Sequence, residues 1–260
     1  MTPEQLEAAI TPQTRWLLLN SPSNPSGAMY SRAEIKALGA VLQRHPHVWI
    51  ASDEIYQHIV YAPFTSVREA LPDLTDRIVV VDGVSKAYSM TGWRIGWAIG
   101  PEAVIVAMQD VQGQSTSGAC SISQAAASAA LTGDQALIAQ RAKVFRARRD
   151  LVVAEINQDP LLECSVPDGA FYVYPSIAGI IGMCGPMGPI LNDADFAAQL
   201  LDGAGVAVVP GEAFGLSPHF RISYAADDAQ LEDALHRIAQ FCAGLAPGQA
   251  DAERDNARNG

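Results

Sequence analysis

The chain has 260 residues, 49% of them apolar and 17% charged, which suits a folded protein of one or two domains and excludes an extended disordered chain. Its formal charge of −11 opposes nucleic acid and anionic membrane surfaces, so an anionic ligand would need a local gathering of arginines or backbone N–H groups. No apolar run approaches the roughly 18–20 residues of a membrane span, and "MTPEQLEAAITPQTRW" lacks the basic start and apolar stretch of a secretory signal, so a cytoplasmic location is expected.

Thr2, Pro3 and Gln5 have the spacing of a helix cap, so a short helix opens the chain. "WLLL" (16–19) is a short apolar run ending in a Ser/Pro/Asn/Gly cluster, which predicts a buried strand and a turn. Ser31 and Glu34 form a capping box for a helix through about Arg44. The "HPH" that follows at 45–47 reads as the end of that helix, since Pro46 stops the pattern and no third metal ligand is nearby. "VWIAS" (48–52), "RIVVV" (77–81) and "RIGWAI" (94–99) are the next strands. Apolar strands alternating with helices predict a parallel or mostly parallel sheet covered on both faces. Helical patterns follow at 101–112, 121–132 and 134–157.

From about residue 160 the grammar changes to short strands and single helices: "FYVYP", "DADFAAQLLDGAG", "VAVVP", "FRISYA" and "AQLEDALHRIAQFCAGL". The predicted organisation is a large α/β domain over 1–133, a connecting helix over 134–158, a small α+β domain over 159–246, and an unstructured polar tail over 247–260. Cys120, Cys164, Cys184 and Cys242 are widely spaced, with no CxxC and no cysteine–histidine cluster. They read as buried thiols in a reducing compartment, with no metal expected.

The informative polar residues fall at strand ends. "NSPSNPSG" (20–27) follows the first strand, "SDEIY" (52–56) the second and "DGVSK" (82–86) the third, and in open α/β sheets ligands bind beyond the carboxyl ends of strands. Neither a dinucleotide-binding nor a nucleoside-triphosphate glycine motif is present. The chain has three lysines: Lys36 and Lys143 lie in helical, charge-rich runs, whereas Lys86 sits among small residues. An amine at a buried edge beside a carboxylate suits Schiff-base chemistry. An aspartate suits a pyridinium nitrogen and an arginine a phosphate. Taken singly, each residue also has a plain structural reading. Asp53 could cap a helix, Asn24 could shape a turn, Arg94 and Arg221 could pair with surface carboxylates, and Tyr56 could be core packing, as Trp93 and Trp97 are expected to be.

In their order along the chain, "NSPSNPSG", "SDEIY", "GVSKAYSMTGWRIG", "PDGAFYVYP", "VAVVPGEAFG" and "FRISYA" resemble the landmarks of class I aminotransferases of fold type I, over about residues 1–245. The nearest resemblance is to bacterial aspartate aminotransferases, including those acting on prephenate. The resemblance implies pyridoxal 5'-phosphate as cofactor and the transfer of an amino group from L-aspartate to 2-oxoglutarate. Lys86 would be the covalent anchor and proton carrier, and Asp53 the partner of the ring nitrogen. Tyr56 and Asn24 would bind the ring's phenolic oxygen, and Arg94 with Ser85 the phosphate. Arg221 and Asn24 would bind the substrate. Amino and keto acids are the implied small-molecule partners, and a homodimer the implied assembly. An aromatic or broad-specificity transaminase, a carbon–sulfur lyase and a non-catalytic remnant are the alternatives.

The resemblance begins part-way into the family's chain. The sequence therefore predicts an N-terminally truncated protein with an incomplete large-domain sheet, an unprotected core face and weak or no cofactor binding. Gly118-Ala119 departs from the Asn-Pro expected there, in a segment that the resemblance places near a subunit interface.

Overall fold

The computed structural model describes residues 1–248, so the predicted tail from residue 249 on lies outside the described residues. By contacts the chain divides into one unit of residues 1–24, 28–143 and 168–170, and a second of residues 25–27, 144–167 and 171 onward.

The first unit begins with two helices whose starts are chemically specified. In α1 (Pro3–Ala9) the Thr2 hydroxyl accepts from the Gln5 N–H while the Gln5 side chain accepts from the Thr2 N–H. The same reciprocal pair, Ser31 with Glu34, opens α2 (Arg32–Gln43). Each box satisfies N–H groups that the helix cannot pair internally, a contribution of about 1 kcal/mol. Between and after them run β1 (Trp16–Asn20), β2 (Trp49–Asp53), the short α3 (Val67–Ala70), β3 (Ile78–Gly83) and β4 (Gly96–Ile99), then α4 (Glu102–Ser115), α5 (Ser121–Thr132) and the start of α6 (Ala136–Ile156).

The four strands lie in the order β1-β2-β3-β4. The first three are parallel, and β4 runs antiparallel to β3. Register places Leu17, Ile50 and Ile78 in one row and Leu19, Ser52 and Val80 in another. Side chains alternate along a strand, so these rows share a face. That face packs on Leu6, Ile35, Leu38, Val41, Leu42, Val67 and Leu74 to form the core.

The opposite face is not covered as the apolar strands predicted. Leu18 is 78% exposed, Trp16 42% and Val81 40%, and α4 has no buried residue. An open cleft of about 970 Å³ separates this face from α4, lined by Trp49, Val81, Trp97, Ala98, Ala107 and Met108. A run such as "VVV" reports that a strand is apolar on both sides. It does not report whether the covering layer is present. Trp93, expected to pack, is 44% exposed.

Arg77, at the entry to β3, is a buried cation that the sequence reading left unassigned. Its guanidinium donates to Leu42 O at 2.7 Å, Val48 O at 2.7 Å and His45 O at 2.8 Å. It thereby completes carbonyls at the end of α2, where a positive charge also meets the negative end of the helix dipole. His45 and His47 are tied to Glu7 and to the Thr11 carbonyl, in keeping with a helix end.

The second unit contains the remainder of α6, then β5 (Tyr172–Val173), β6 (Cys184–Gly185), β7 (Gly188–Pro189), α7 (Asp193–Ala204), β8 (Val209–Pro210), β9 (Phe220–Ser223) and α8 (Asp228–Ala243). β9 is flanked by β5 and β8, both antiparallel to it, over a core that includes Phe196, Leu200, Phe220, Tyr224 and Leu231. β5 and β8 are shorter than "FYVYP" and "VAVVP" suggest; Pro175, just beyond β5, has no N–H to extend its ladder.

The cysteine expectation is corrected in part. Cys164 and Cys242 are buried, and desolvation pushes both thiols up to about 12, but Cys120 is exposed and Cys184 half-buried. No helix among the described residues is long and apolar enough to cross a membrane. No group of three or more His, Cys, Asp and Glu side chains that could hold a metal ion occurs among them either.

Candidate active site

Because β1, β2 and β3 are parallel neighbours, their carboxyl ends fall on one edge: Asn20 is in register with Asp53, and Asp53 with Val81. The three loops singled out in the sequence leave from that edge.

The first loop is held by its own asparagines. Asn20 Oδ1 accepts the Asn24 N–H at 2.7 Å, and Asn20 Nδ2 donates to Asp53 O at 3.3 Å, so the loop bearing Asn24 is fixed to the end of β2. At that end Asp53 Oδ1 accepts from the Ile55 N–H at 3.1 Å, while Oδ2 has no hydrogen-bond partner among the described residues. Glu54 turns the other way and is buried. Its Oε1 accepts from Ser52 Oγ at 3.0 Å, Ser66 Oγ at 2.9 Å and the Val67 N–H at 3.0 Å. Burial nevertheless pushes its carboxyl above the ordinary carboxylate range. Tyr56 completes the turn with its ring in the core, 3% exposed.

The third loop carries Lys86. The ammonium lies 5.7 Å from the centroid of the Tyr56 ring, within reach of its electron-rich face. Two contacts fix the residues that follow it: Arg141 Nη1 donates to Ala87 O at 3.1 Å, and Tyr88 Oη donates to Gln135 Oε1 at 2.7 Å. Ser85 is half-buried, with no hydrogen-bond partner among the described residues.

Arg94 follows a short turn of helix in the left-handed region (φ 51°, ψ 51°), donates to Thr91 O at 2.9 Å and lines the open cleft. The two loops approach closely because Gly83 and Gly96 are paired in register. A Cβ on Gly83 would lie 2.9 Å from Ile95 O, and one on Gly96 would lie 2.9 Å from Asp82 O.

Asp82 is a further site-adjacent group that the sequence reading did not single out. It is buried, and its oxygens accept from the Gly83 N–H at 2.7 Å and from Gln57 Nε2 at 2.6 Å, joining the end of β3 to the turn that carries Tyr56. Burial raises its carboxyl above the ordinary range as well. An acid four residues ahead of the lysine was the available signal.

The first unit thus holds Asn24, Asp53, Tyr56, Ser85, Lys86 and Arg94. Arg221 belongs to the second unit, on β9, where its guanidinium lies 4.7 Å from the Tyr172 ring and 5.1 Å from the Phe214 ring. The donor set of the first unit fits a phosphorylated pyridine aldehyde. It offers a half-buried amine for the carbonyl carbon, a carboxylate oxygen without a partner among the described residues for a ring N–H, and an arginine for a phosphate.

Comparison with known proteins gives the same direction. The sequence model of "Aminotransferase class I and II" matches residues 1–238. The aspartate/prephenate aminotransferase of Cereibacter sphaeroides is 55% identical over 248 residues, covering 94% of this chain and 62% of that protein. The aspartate aminotransferase of Rhizobium meliloti is 57% identical over 245 residues, covering 93% and 60%. The chain therefore spans about three-fifths of the length of these relatives. A crystal structure of the aspartate aminotransferase from Rhizobium meliloti superposes with a TM-score of 0.92 at 55% identity, over 95% of this chain and 62% of that one. An aromatic aminotransferase from Pyrococcus horikoshii gives 0.85 at 31% identity, over 92% and 63%. With a family match over nearly its whole length and the lysine, aspartate and arginine landmarks in order, the chain belongs to the class I and II aminotransferases.

Proposed function

We propose that this chain carries the cofactor-anchoring part of a pyridoxal-phosphate aminotransferase that moves the amino group of L-aspartate to 2-oxoglutarate, giving oxaloacetate and L-glutamate, with prephenate as a second acceptor. The observation that carries the reading is the meeting of the Asn24 loop, Asp53 and the Lys86 segment at the carboxyl ends of three adjacent parallel strands, with Lys86 Nζ over the Tyr56 ring. When bound, the cofactor supplies an electron sink conjugated to the carbon that loses its proton.

The residues have separable tasks. Lys86 would tether the cofactor through Nζ, and the same nitrogen would carry a proton. Asp53 holds a proton on the ring nitrogen by its negative charge. Tyr56 and Asn24 donate to the phenolic oxygen, Arg94 and Ser85 bind the phosphate, and Arg221 orients the substrate carboxylate, with Asn24 also on the substrate's side. The proposed assembly is a homodimer of the full-length protein, and the proposed location the cytoplasm.

The preference for aspartate rests on the names of the relatives at 55–57% identity. The TM-score of 0.85 to an aromatic aminotransferase keeps an aromatic transaminase as the second reading. The test is a half-reaction. The chain, in excess pyridoxal 5'-phosphate, is offered one amino acid at a time, and keto-acid yield is read by mass spectrometry against a Lys86→Ala control. Oxaloacetate from L-aspartate above the other donors, and lost in the control, supports the proposal. Yields confined to aromatic donors support the second reading, and cleavage of cystathionine-type substrates alone contradicts both.

A further inference from the structure

Residues 168–170 belong to the first unit although the chain on both sides of them belongs to the second. They lie against residues 59–61, the segment that follows the Tyr56 turn, where the Ile59 N–H donates to Tyr56 O at 2.8 Å. Gly169 is bridged antiparallel to Val60. The Tyr61 N–H donates to Asp168 O at 2.8 Å, the Ala170 N–H to Ile59 O at 2.8 Å, and the Tyr61 hydroxyl to Ala170 O at 2.6 Å. These bonds hold Ala170, which is fully buried, in the left-handed region at φ 58°. A residue with a Cβ keeps that backbone conformation only where its surroundings enforce it.

Gly169 also meets the Asn24 loop. A Cβ there would lie 2.6 Å from Pro22 Cγ, 2.7 Å from Pro22 Cβ and 3.1 Å from Ile59 O, so the glycine lets this strap close directly on the proline ring. Pro22 is buried, and its ring cannot swing aside because the ring is part of the backbone. One residue before Pro22, the Ser21 N–H donates to Asp53 O at 3.2 Å. Two residues after it, the Asn24 N–H is held by Asn20 Oδ1 at 2.7 Å. A displacement of Pro22 is therefore passed along a short, bonded stretch of backbone to Asn24.

We infer that Gly169 and Tyr61 are positioning residues: the strap of residues 168–170 is a wall that sets where the Asn24 loop stands at the strand ends. The inference deepens the proposed function and rests on its reading of Asn24 as a ligand of the cofactor's phenolic oxygen. Asn20 and Asp53 fix the loop from the strands, and Gly169 fixes it through the proline. A loop whose place is set beforehand loses less freedom when its ligand arrives.

The test has two readouts, both on the full chain. The first is hydrogen exchange, followed by NMR of the ¹⁵N-labelled chain without added cofactor. Gly169→Ala should speed exchange of the Asn24 amide by about tenfold or more and leave the amides of α2 at their unmutated rates. Tyr61→Phe, which removes the donor to Ala170 O, should act in the same direction more weakly. The second readout is the pyridoxal 5'-phosphate concentration that half-saturates borohydride trapping on Lys86. Gly169→Ala should raise it about tenfold, the lower end of one charged hydrogen bond's worth. In a chain that already carries Asn24→Ala the rise should be less than about twofold, since a positioning residue loses its effect with the residue it positions. An Asn24 amide that exchanges in Gly169→Ala as in the unmutated chain overturns the inference. So does a rise in half-saturation that persists in the Asn24→Ala background, because the glycine would then act by another route. Half-saturation left unchanged by Asn24→Ala itself overturns the cofactor role of Asn24 instead, and the amide readout then decides on the strap. If Gly169→Ala does not fold, Tyr61→Phe is the deciding variant: faster Asn24 exchange supports the strap and unchanged exchange overturns it.

Discussion

Replacing Arg77 with methionine is the sharpest probe of how the first unit holds its strands in register. Methionine keeps most of the aliphatic volume and removes every donor. Three carbonyls, of Leu42, His45 and Val48, then lose partners now at 2.7–2.8 Å, two of these bonds being buried. Hydrogen bonds from a charged donor are worth about 1.5–3 kcal/mol each. Against the sum stands the desolvation of a buried guanidinium, a cost of several kcal/mol that the variant escapes. A net loss of about 2–4 kcal/mol follows. The readout is selective: Trp16, Trp49, Trp93 and Trp97 all lie in the first unit, so tryptophan fluorescence in urea follows that unit alone. With a slope of about 2–3 kcal/mol per M, the midpoint should fall by roughly 1–2 M. A shift below about 0.2 M would refute the reasoning, since it would mean that the three carbonyls find other donors at no cost.

Two further outcomes follow from the buried groups around the site. Burial raises the Glu54 carboxyl in the folded state, so its contribution to stability is fully present below the unfolded value of about 4.3 and is lost as pH rises through the higher folded value. Glu54→Gln does not titrate. The wild-type advantage over it in chemical denaturation should therefore be greatest at low pH and shrink toward neutrality, and a gap that is flat or widens with pH contradicts the assignment. Arg141→Gln removes the donor to Ala87 O, and the yield of cofactor trapped on Lys86 should fall by about tenfold, the lower end of one charged hydrogen bond's worth. Equal trapping would show that the lysine segment is ordered without it.

Much of the local structure was written in short-range chemistry. The Thr2–Gln5 and Ser31–Glu34 spacings state where helices begin, and α1 and α2 begin there. The polar residues after "WLLL", "VWIAS" and "RIVVV" imply loops at strand ends, and parallel pairing brings those ends together. What could not be read depends on long-range partners. Arg77 looks like any charged residue before a strand, and only the fold brings the end of α2 within its reach. Asp82 and Glu54 read as polar loop residues, yet both are buried, because their acceptors meet donors from Gln57, Ser66 and Val67. The open face of the sheet is the same kind of case. Trp16, Leu18 and Val81 are apolar enough to be core, and nothing in their own segments says what lies opposite them.

The central claim is that Lys86, and not another amine, anchors the cofactor. The chain has only two competing lysines, Lys36 and Lys143, both exposed. Borohydride reduction of the chain in pyridoxal 5'-phosphate, followed by peptide mass mapping, therefore gives a direct answer. Pyridoxyl label concentrated on Lys86 and sharply reduced by Asp53→Ala is the predicted result. Label spread evenly over Lys36, Lys86 and Lys143 and indifferent to residue 53 would contradict it.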